Sequence, residues 1–212
     1  MPVVTEEIEN NGIVPPPPAP PGDGDGGSGE PYSSFPLSKE QIALWVLMTG
    51  IVMLFAGLSS AYIVLRGAPS WQNIDLPGLL WLNTIILVAS SFTIDLARRA
   101  VSGNRIQTMK RWIAVSAALG LAFLVGQLAA WQQLVNAGVY LPSTLHSSFF
   151  YLLTGIHGVH LVGGVIAMGY VFRMAFRNRL TVFNCEPLKL CATYWHFMDG
   201  LWLYLFMLLV LA

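Results

Sequence analysis

Five apolar stretches of about 20 residues each follow one another along this 212-residue sequence. A stretch of that length is enough for one helix to cross the roughly 30 Å hydrocarbon core of a bilayer. Hydrophobic residues make up 55% of the chain and charged residues only 10%, whereas ordinary soluble domains have about 25% charged residues. The sequence therefore predicts an all-α integral membrane protein built as a bundle of five transmembrane helices.

The predicted organisation is an N-terminal tail followed by a membrane domain. Residues 1–40 include PPPPAPPGDGDGGSG, are acidic, and hold too few apolar side chains to form a core. We predict a disordered or extended cytoplasmic tail there, with a strap lying on a partner protein as the alternative. Residues 41–212 form the predicted membrane domain, with spans at about 41–65, 78–96, 111–135, 147–172 and 190–212.

Charge is distributed unevenly, although the formal net charge is zero. Residues 1–40 hold seven acidic residues and one basic residue, and the rest of the chain holds ten basic and four acidic residues. Most of these basic residues lie at two predicted loops. The loop between the second and third spans has Arg98, Arg99, Arg105, Lys110 and Arg111. The loop between the fourth and fifth spans has Arg173, Arg177, Arg179 and Lys189. Because short cytoplasmic loops are enriched in Lys and Arg, we predict a cytoplasmic N-terminus and an external C-terminus in a bacterial-type plasma membrane. No nucleic-acid-binding motif is visible.

Four polar residues fall inside the predicted spans. His157 and His160 lie three apart in TGIHGVHLVGG, and His196 and Asp199 lie three apart in YWHFMDGLW, so each pair occupies one helix face. At 1.5 Å per residue, His160, Asp199 and His196 lie roughly 18, 14 and 9 Å from the cytoplasmic end. Ionisable groups within a membrane usually face the bundle interior and pair with one another. We therefore predict an intramembrane polar network in which Asp199 hydrogen-bonds to His160 or, as second choice, to His157.

Three functions compete for this network. A haem or another metal site is one, because histidine ligates both, but the histidines differ in depth by roughly 9–13 Å and we expect no cofactor in this chain. A stand-alone or accessory transporter with a His/Asp proton relay is the second, although no inverted repeat is visible. The third is a structural subunit of a larger membrane complex. Cys185 and Cys191 are too few ligands for a zinc site.

Small residues recur every four positions in the third span and in a shorter run in the fourth. In lipid, small residues let helices approach closely, so we predict a helix-packing role for Ala114, Ala118, Ala122, Gly126, Ala130, Gly155 and Gly163. Arg173, at the inner end of the fourth span, is a candidate ligand for a lipid phosphate, with a purely topological role as the alternative. Asp95 is predicted to pair with Arg98 or Arg99 at a solvated helix end.

Four segments of the membrane domain carry a family resemblance. TGIHGVHLVGG fits the pattern T-G-x-H-G-x-H-x-x-x-G, and YWHFMDGLWLYLF fits Y-W-H-F-x-D-x-x-W-x-x-L-F. NTIILVASSFT and MLFAGLSSAY are similar to two further runs of the same family. On these motifs the chain resembles subunit III of the haem-copper terminal oxidases (cytochrome c or quinol oxidases) in its short five-helix form, over about residues 41–212.

The resemblance implies a non-redox auxiliary subunit of a respiratory oxygen reductase. In that family, subunit III packs against subunit I, which holds the haems and copper, and is thought to stabilise it, hold lipids and support proton uptake. The implied partners are subunit I as the main contact, subunit II, small subunits and membrane lipids, in a complex that couples oxygen reduction to proton pumping. Ile51 stands where many members have a glutamate, so no role of that carboxylate carries over.

Overall fold

Five α-helices make up a computed structural model of the chain, which describes residues 38–67, 77–139, 145–177, 180 and 185–211. The helices are α1 (Lys39–Leu65), α2 (Leu79–Ser102), α3 (Ile106–Asn136), α4 (Leu145–Phe176) and α5 (Glu186–Val210). The predicted all-helical, five-helix fold is confirmed. Most of the predicted tail lies outside the described residues, and its last two residues already belong to α1.

Local sequence signals set several helix ends. Ser38 caps α1, since its hydroxyl accepts a hydrogen bond from the Gln41 amide (3.2 Å) while the Gln41 side chain accepts one from the Ser38 amide (3.3 Å). Asn104 (φ 55°) connects α2 to α3, and Gly138 (φ 83°) follows the end of α3. Asparagine and glycine are the residues that most readily adopt this left-handed conformation.

Helices α2 and α3, which are joined by the first of the two basic loops, extend beyond the predicted spans. The second span is predicted to end at residue 96 but α2 continues to Ser102, and α3 begins five residues before the predicted 111. Arginine and lysine have good helix propensity, so Arg98, Arg99 and Lys110 continue these helices past the apolar stretch. Hydropathy marks the hydrocarbon crossing, whereas the helix ends only where Gly103 and Asn104 interrupt it.

Helices α2, α3, α4 and α5 form a closed four-helix ring, because each contacts the next and α5 contacts α2 again. Among the described helices, α1 contacts only α4 and α5, so it packs on the outside of this ring. All five belong to one compact unit, Leu37–Ala212. The largest fully buried side chains include Trp195, Trp202, Phe123 and Phe150 from the ring and Phe55 from α1.

Length and composition make α1, α2, α3 and α4 candidate membrane spans within the described residues. The 25-residue helix α5 carries His196 and Asp199 near its middle and Glu186 and Lys189 in its first turn. Large apolar side chains of α1 point outward, including Trp45, Val46, Met53 and Val64. This distribution of apolar surface is that of a multi-pass membrane protein.

Candidate functional site

The two histidines of α4 point into different surroundings. His157 is fully buried, and its ring packs against those of Phe123 (centroids 6.3 Å apart) and Trp202 (5.1 Å). Neither of its ring nitrogens has a hydrogen-bond partner among the described residues. His160 is half-buried and its Nδ1 lies 2.8 Å from the Ile156 carbonyl oxygen of its own helix. Among the described residues, neither of these histidine side chains is hydrogen-bonded to α5. The hydrogen bond between His160 and α5 is to its backbone, where the Tyr194 hydroxyl donates to the carbonyl oxygen (3.0 Å).

His196 contacts α2 rather than α4. Its Nε2 lies 3.1 Å from Asp95 Oδ1, and its Nδ1 lies 2.5 Å from Ser91 Oγ. Asp95 Oδ1 also accepts a hydrogen bond from Arg98 Nη1 at 3.4 Å, as the sequence predicts. The sequence predicted only a solvated helix end at Asp95. In the structure, the hydrogen-bonded chain Arg98–Asp95–His196–Ser91 joins α2 to α5 there.

The predicted hydrogen bond from Asp199 to α4 is not formed. The Asp199 side chain is 4% exposed, and neither carboxyl oxygen has a hydrogen-bond partner among the described residues. The Ser91 side chain lies near this carboxyl without a hydrogen bond to it, and the Ser91 hydroxyl is hydrogen-bonded to His196. The reason is rotational: His196 and Asp199 share one face of α5, and α5 turns that face toward α2. The depth estimate matched Asp199 with His160, but depth does not fix the direction of a side chain.

Two tryptophans extend the contact between these helices. Trp195 Nε1 donates to Ser90 Oγ (2.9 Å), and Trp202 Nε1 donates to Thr84 Oγ1 (3.1 Å). We call the whole set the α2–α5 polar seam: Thr84, Ser90, Ser91, Asp95, Trp195, His196, Asp199 and Trp202. The contact of these α2 residues with α5 was not predicted from the sequence. The signal was present, because Thr84, Ser91 and Asp95 recur at steps of seven and four, which place residues on one helix face.

The seam opens at one end into a polar pocket of about 340 Å³. Asp95, Arg98 and Arg99 line it from α2, and Lys189 lines it from α5. The two basic clusters of the sequence therefore lie at the same end of the bundle. Exposed salt bridges to Asp95 (3.4 Å from Arg98) and to Glu186 (2.8 Å from Lys189) partly neutralise these bases.

The predicted small-residue stripe is not a single buried face in this chain. Ala130 is buried and Ala114, Gly126 and Gly155 are partly buried, whereas Ala118, Ala122 and Gly163 are exposed. A repeat of exactly four residues drifts by about 40° per step around an α-helix of 3.6 residues per turn, so the stripe winds away from the core. Ala118, Ala122 and Gly163 are therefore not packed inside the described bundle, and a helix-packing role for them stays a prediction.

Other glycines make the close helix contacts. A Cβ atom on Gly120 of α3 would lie 2.6 Å from a ring carbon of Trp195, and one on Gly164 of α4 would lie 3.1 Å from the Tyr194 ring. On Gly126, a predicted packing residue, an added Cβ would overlap the Asn83 side chain. The sequence pattern thus identified the right helices but assigned the contact to Gly163 instead of its neighbour Gly164.

The sequence also singled out Arg173, Ile51 and the two cysteines. Arg173 is exposed at the last turn of α4 and lines a cleft of about 270 Å³ with Tyr170, Met174 and Arg177. Ile51 is 3% exposed within α1. No group of three or more His, Cys, Asp and Glu residues that could hold a metal ion exists in the described part of the chain. Neither Cys185 nor Cys191 forms a disulfide within the described residues.

Comparison with known proteins gives one consistent result. The family model for cytochrome c oxidase subunit III matches residues 67–211, which include the whole α2–α5 ring. A cytochrome c oxidase subunit 3 of Synechocystis sp. is 34% identical over 167 residues, covering 74% of this chain and 69% of the relative. A cytochrome c oxidase subunit 3 of Thermostichus vulcanus is 30% identical over 174 residues, covering 79% of this chain and 85% of the relative.

A third relative, cytochrome c oxidase subunit 3 of Corynebacterium diphtheriae, is 31% identical over 169 residues, covering 76% of this chain and 82% of its own length. These matches bear out the resemblance seen in the four sequence motifs. With the five-helix architecture and its candidate membrane spans, they show that the chain belongs to the cytochrome c oxidase subunit III family.

Proposed function

We propose that this chain is a non-redox subunit that stabilises the catalytic subunit I of its oxidase and holds lipid at their common boundary. The observation that carries the proposal is the family match across the entire four-helix ring. Members of this family generally lack redox centres, and the polar residues of the described bundle support this reading, since they bridge helices or lie singly in the core. Subunit II and small subunits complete the proposed complex, which couples oxygen reduction to proton pumping.

A structural role suits the construction of the bundle. The α2–α5 polar seam closes the ring with hydrogen bonds, which in lipid are worth about 0.6–2 kcal/mol each. The closed ring presents outward-facing apolar side chains on several helices, such as Phe92, Val125, Val159 and Ile166. Such a preformed apolar surface can dock against the helices of another membrane subunit without rearrangement.

Affinity purification of this chain in mild detergent tests the proposal. We expect haem-bearing oxidase chains to co-purify, giving a visible haem spectrum, and mass spectrometry to identify subunits I and II. The competing function is transport by the isolated chain. A colourless, lone chain that catalyses uptake into liposomes would contradict the subunit role and establish the transporter.

Lipid binding is proposed at the cleft beside Arg173. Arg173 and Arg177 supply positive charge for a phosphate, and Tyr170 joins this cleft to an apolar groove of about 640 Å³ between α1, α4 and α5. An anionic phospholipid fits this combination of a basic rim and an apolar groove.

Arg173→Gln is therefore expected to weaken retention of anionic phospholipid about fivefold, the equivalent of about 1 kcal/mol for one basic residue at the membrane surface. Lipid mass spectrometry of the purified complex measures this. Arg111→Gln, at an exposed position on α3, is the matched control and should leave lipid retention unchanged. Equal loss in both variants would indicate a general effect of charge and reject a site at Arg173.

The membrane orientation is also part of the proposal. The shared pocket of Arg98, Arg99 and Lys189 supports one basic end for the bundle, and the excess of basic residues assigns that end to the cytoplasm. Reporter fusions at Asn104 and Asn178 are expected to report cytoplasm, and a fusion at Gly138 the opposite side. The reverse pattern would refute this orientation, including the cytoplasmic N-terminus.

A further inference from the structure

The unpartnered carboxyl of Asp199 is the least expected polar group in this bundle. It is 4% exposed in the middle of α5 and has no hydrogen-bond partner among the described residues. An unpaired charge in such surroundings is far more costly than a neutral acid. A packing role for Asp199 would require a hydrogen bond across the interface, and the described structure has none. Another explanation is needed for an acid at this position.

Asp199 lies beside the inner end of a hydrogen-bonded chain that runs from Ser91 through His196 to Asp95. Ser91 lies near the Asp199 carboxyl without a hydrogen bond to it, Ser91 Oγ lies 2.5 Å from His196 Nδ1, and His196 Nε2 lies 3.1 Å from Asp95 Oδ1. Asp95 in turn lines the polar end pocket of about 340 Å³. Each member can accept a proton on one side and release one on the other.

The geometry points to Asp199 as a proton-binding site inside the membrane bundle, which exchanges its proton with the basic end pocket through Asp95, His196 and Ser91. This goes beyond the stabilising role, because it assigns the seam a proton path as well as helix contact. It concerns residues of this chain alone and holds whether or not proton exchange at Asp199 contributes to turnover.

The proton balance of the path is simple. A proton from water in the end pocket reaches Asp95 and passes to His196 Nε2. The imidazole releases its Nδ1 proton to Ser91 Oγ, and a rotation of the Ser91 hydroxyl delivers the original hydroxyl proton to Asp199. Turning of the imidazole ring restores the starting tautomer. One proton enters at Asp95 and one arrives at Asp199, with no other reactant.

The other titratable and charged groups on the helices around α5 lie off this path. On α2, Arg98 is hydrogen-bonded to Asp95 and holds the outer end of the chain. On α4, the two inner histidines are His157, whose ring packs on Phe123 and Trp202, and His160, whose Nδ1 is directed to its own helix. On α1, these groups lie near the two ends: Lys39, Glu40, Tyr62 and Arg66.

Infrared difference spectroscopy of the chain purified with the partners it retains tests the inference. We expect a carbonyl stretch of a protonated carboxyl that disappears in Asp199→Asn and shifts when the sample is transferred to D₂O. Ser91→Ala removes one relay hydroxyl with little change in packing volume, and His196→Phe removes the imidazole. Each should slow deuterium exchange of this band on the order of 100-fold, as expected when a positioned proton donor is lost.

His160→Phe is the matched control, because it removes an intramembrane imidazole outside the path and should leave the exchange rate unchanged. The inference is overturned if Asp199→Asn removes no such band, or if exchange is equally fast in Ser91→Ala and His196→Phe. The band reports the carboxyl itself, so these outcomes are independent of oxygen consumption and of subunit I stability. A failure of the stabilising role would therefore be recognised separately.

Discussion

Trp195→Ala is expected to lower the free energy of unfolding of the bundle by about 3 kcal/mol, toward the lower end of values for buried aromatic truncations. The indole is fully buried and contacts three other helices of the ring. It donates a hydrogen bond to Ser90 of α2 and packs on Gly120 of α3 and Gly164 of α4. In lipid the transfer of apolar surface from water contributes little, but the lost dispersion contacts and the cavity remain.

Thermal unfolding of the purified protein in detergent measures this loss. Trp45→Ala is the matched control, because Trp45 is 54% exposed on the outer side of α1 and its truncation creates no internal cavity. We expect a large decrease in midpoint temperature for Trp195→Ala and a small one for Trp45→Ala. Similar decreases in the two variants would show that Trp195 is not the central packing residue.

Gly120→Ala is expected to destabilise the same contact from the opposite side, by about 1–3 kcal/mol. The added methyl group would lie 2.6 and 2.8 Å from two carbons of the Trp195 six-membered ring. Those carbons are absent in phenylalanine, so the cost of Gly120→Ala should fall sharply when Trp195→Phe is also present. The measured quantity is the coupling energy of this double-mutant cycle.

Gly163→Ala supplies the control for helix propensity. Gly163 lies in α4 with open space around the position of an added Cβ, so alanine there should leave stability unchanged or raise it slightly, because alanine favours helix over glycine. A cost at Gly163 equal to that at Gly120, or no relief by Trp195→Phe, would contradict a steric contact between α3 and α5.

The fold was predictable because each helix is encoded locally. Five apolar runs gave five helices, and small residues in α3 and α4 indicated close packing before any contact was known. The rotation of each helix was not encoded in the same way. The repeat of four residues predicted a single face of α3. This repeat drifts around the helix, so Ala118 and Ala122 are exposed and Gly120 makes the close contact with Trp195.

The contacts of the α2–α5 polar seam could not be predicted from the sequence for the same reason, the unknown rotation of each helix. Depth along a helix follows from counting residues, and Asp199 is buried near the middle of α5. Partner choice depends on which helices are neighbours and on how they are turned, and α5 returns to contact α2 as well as α4. Asp95 therefore meets His196, 101 positions further along the chain, which a comparison of adjacent helices does not reveal.

We propose that this chain stabilises an oxidase without taking part in its electron transfer. The most direct measurement compares the oxidase purified with this chain and without it, recording the haem spectrum, the initial rate of oxygen consumption and the loss of that rate with time. We predict an unchanged haem spectrum and substantial initial oxygen consumption without the chain, followed by faster inactivation. Loss of a haem or copper signal on its removal, or complete absence of initial electron transfer, would contradict the claim.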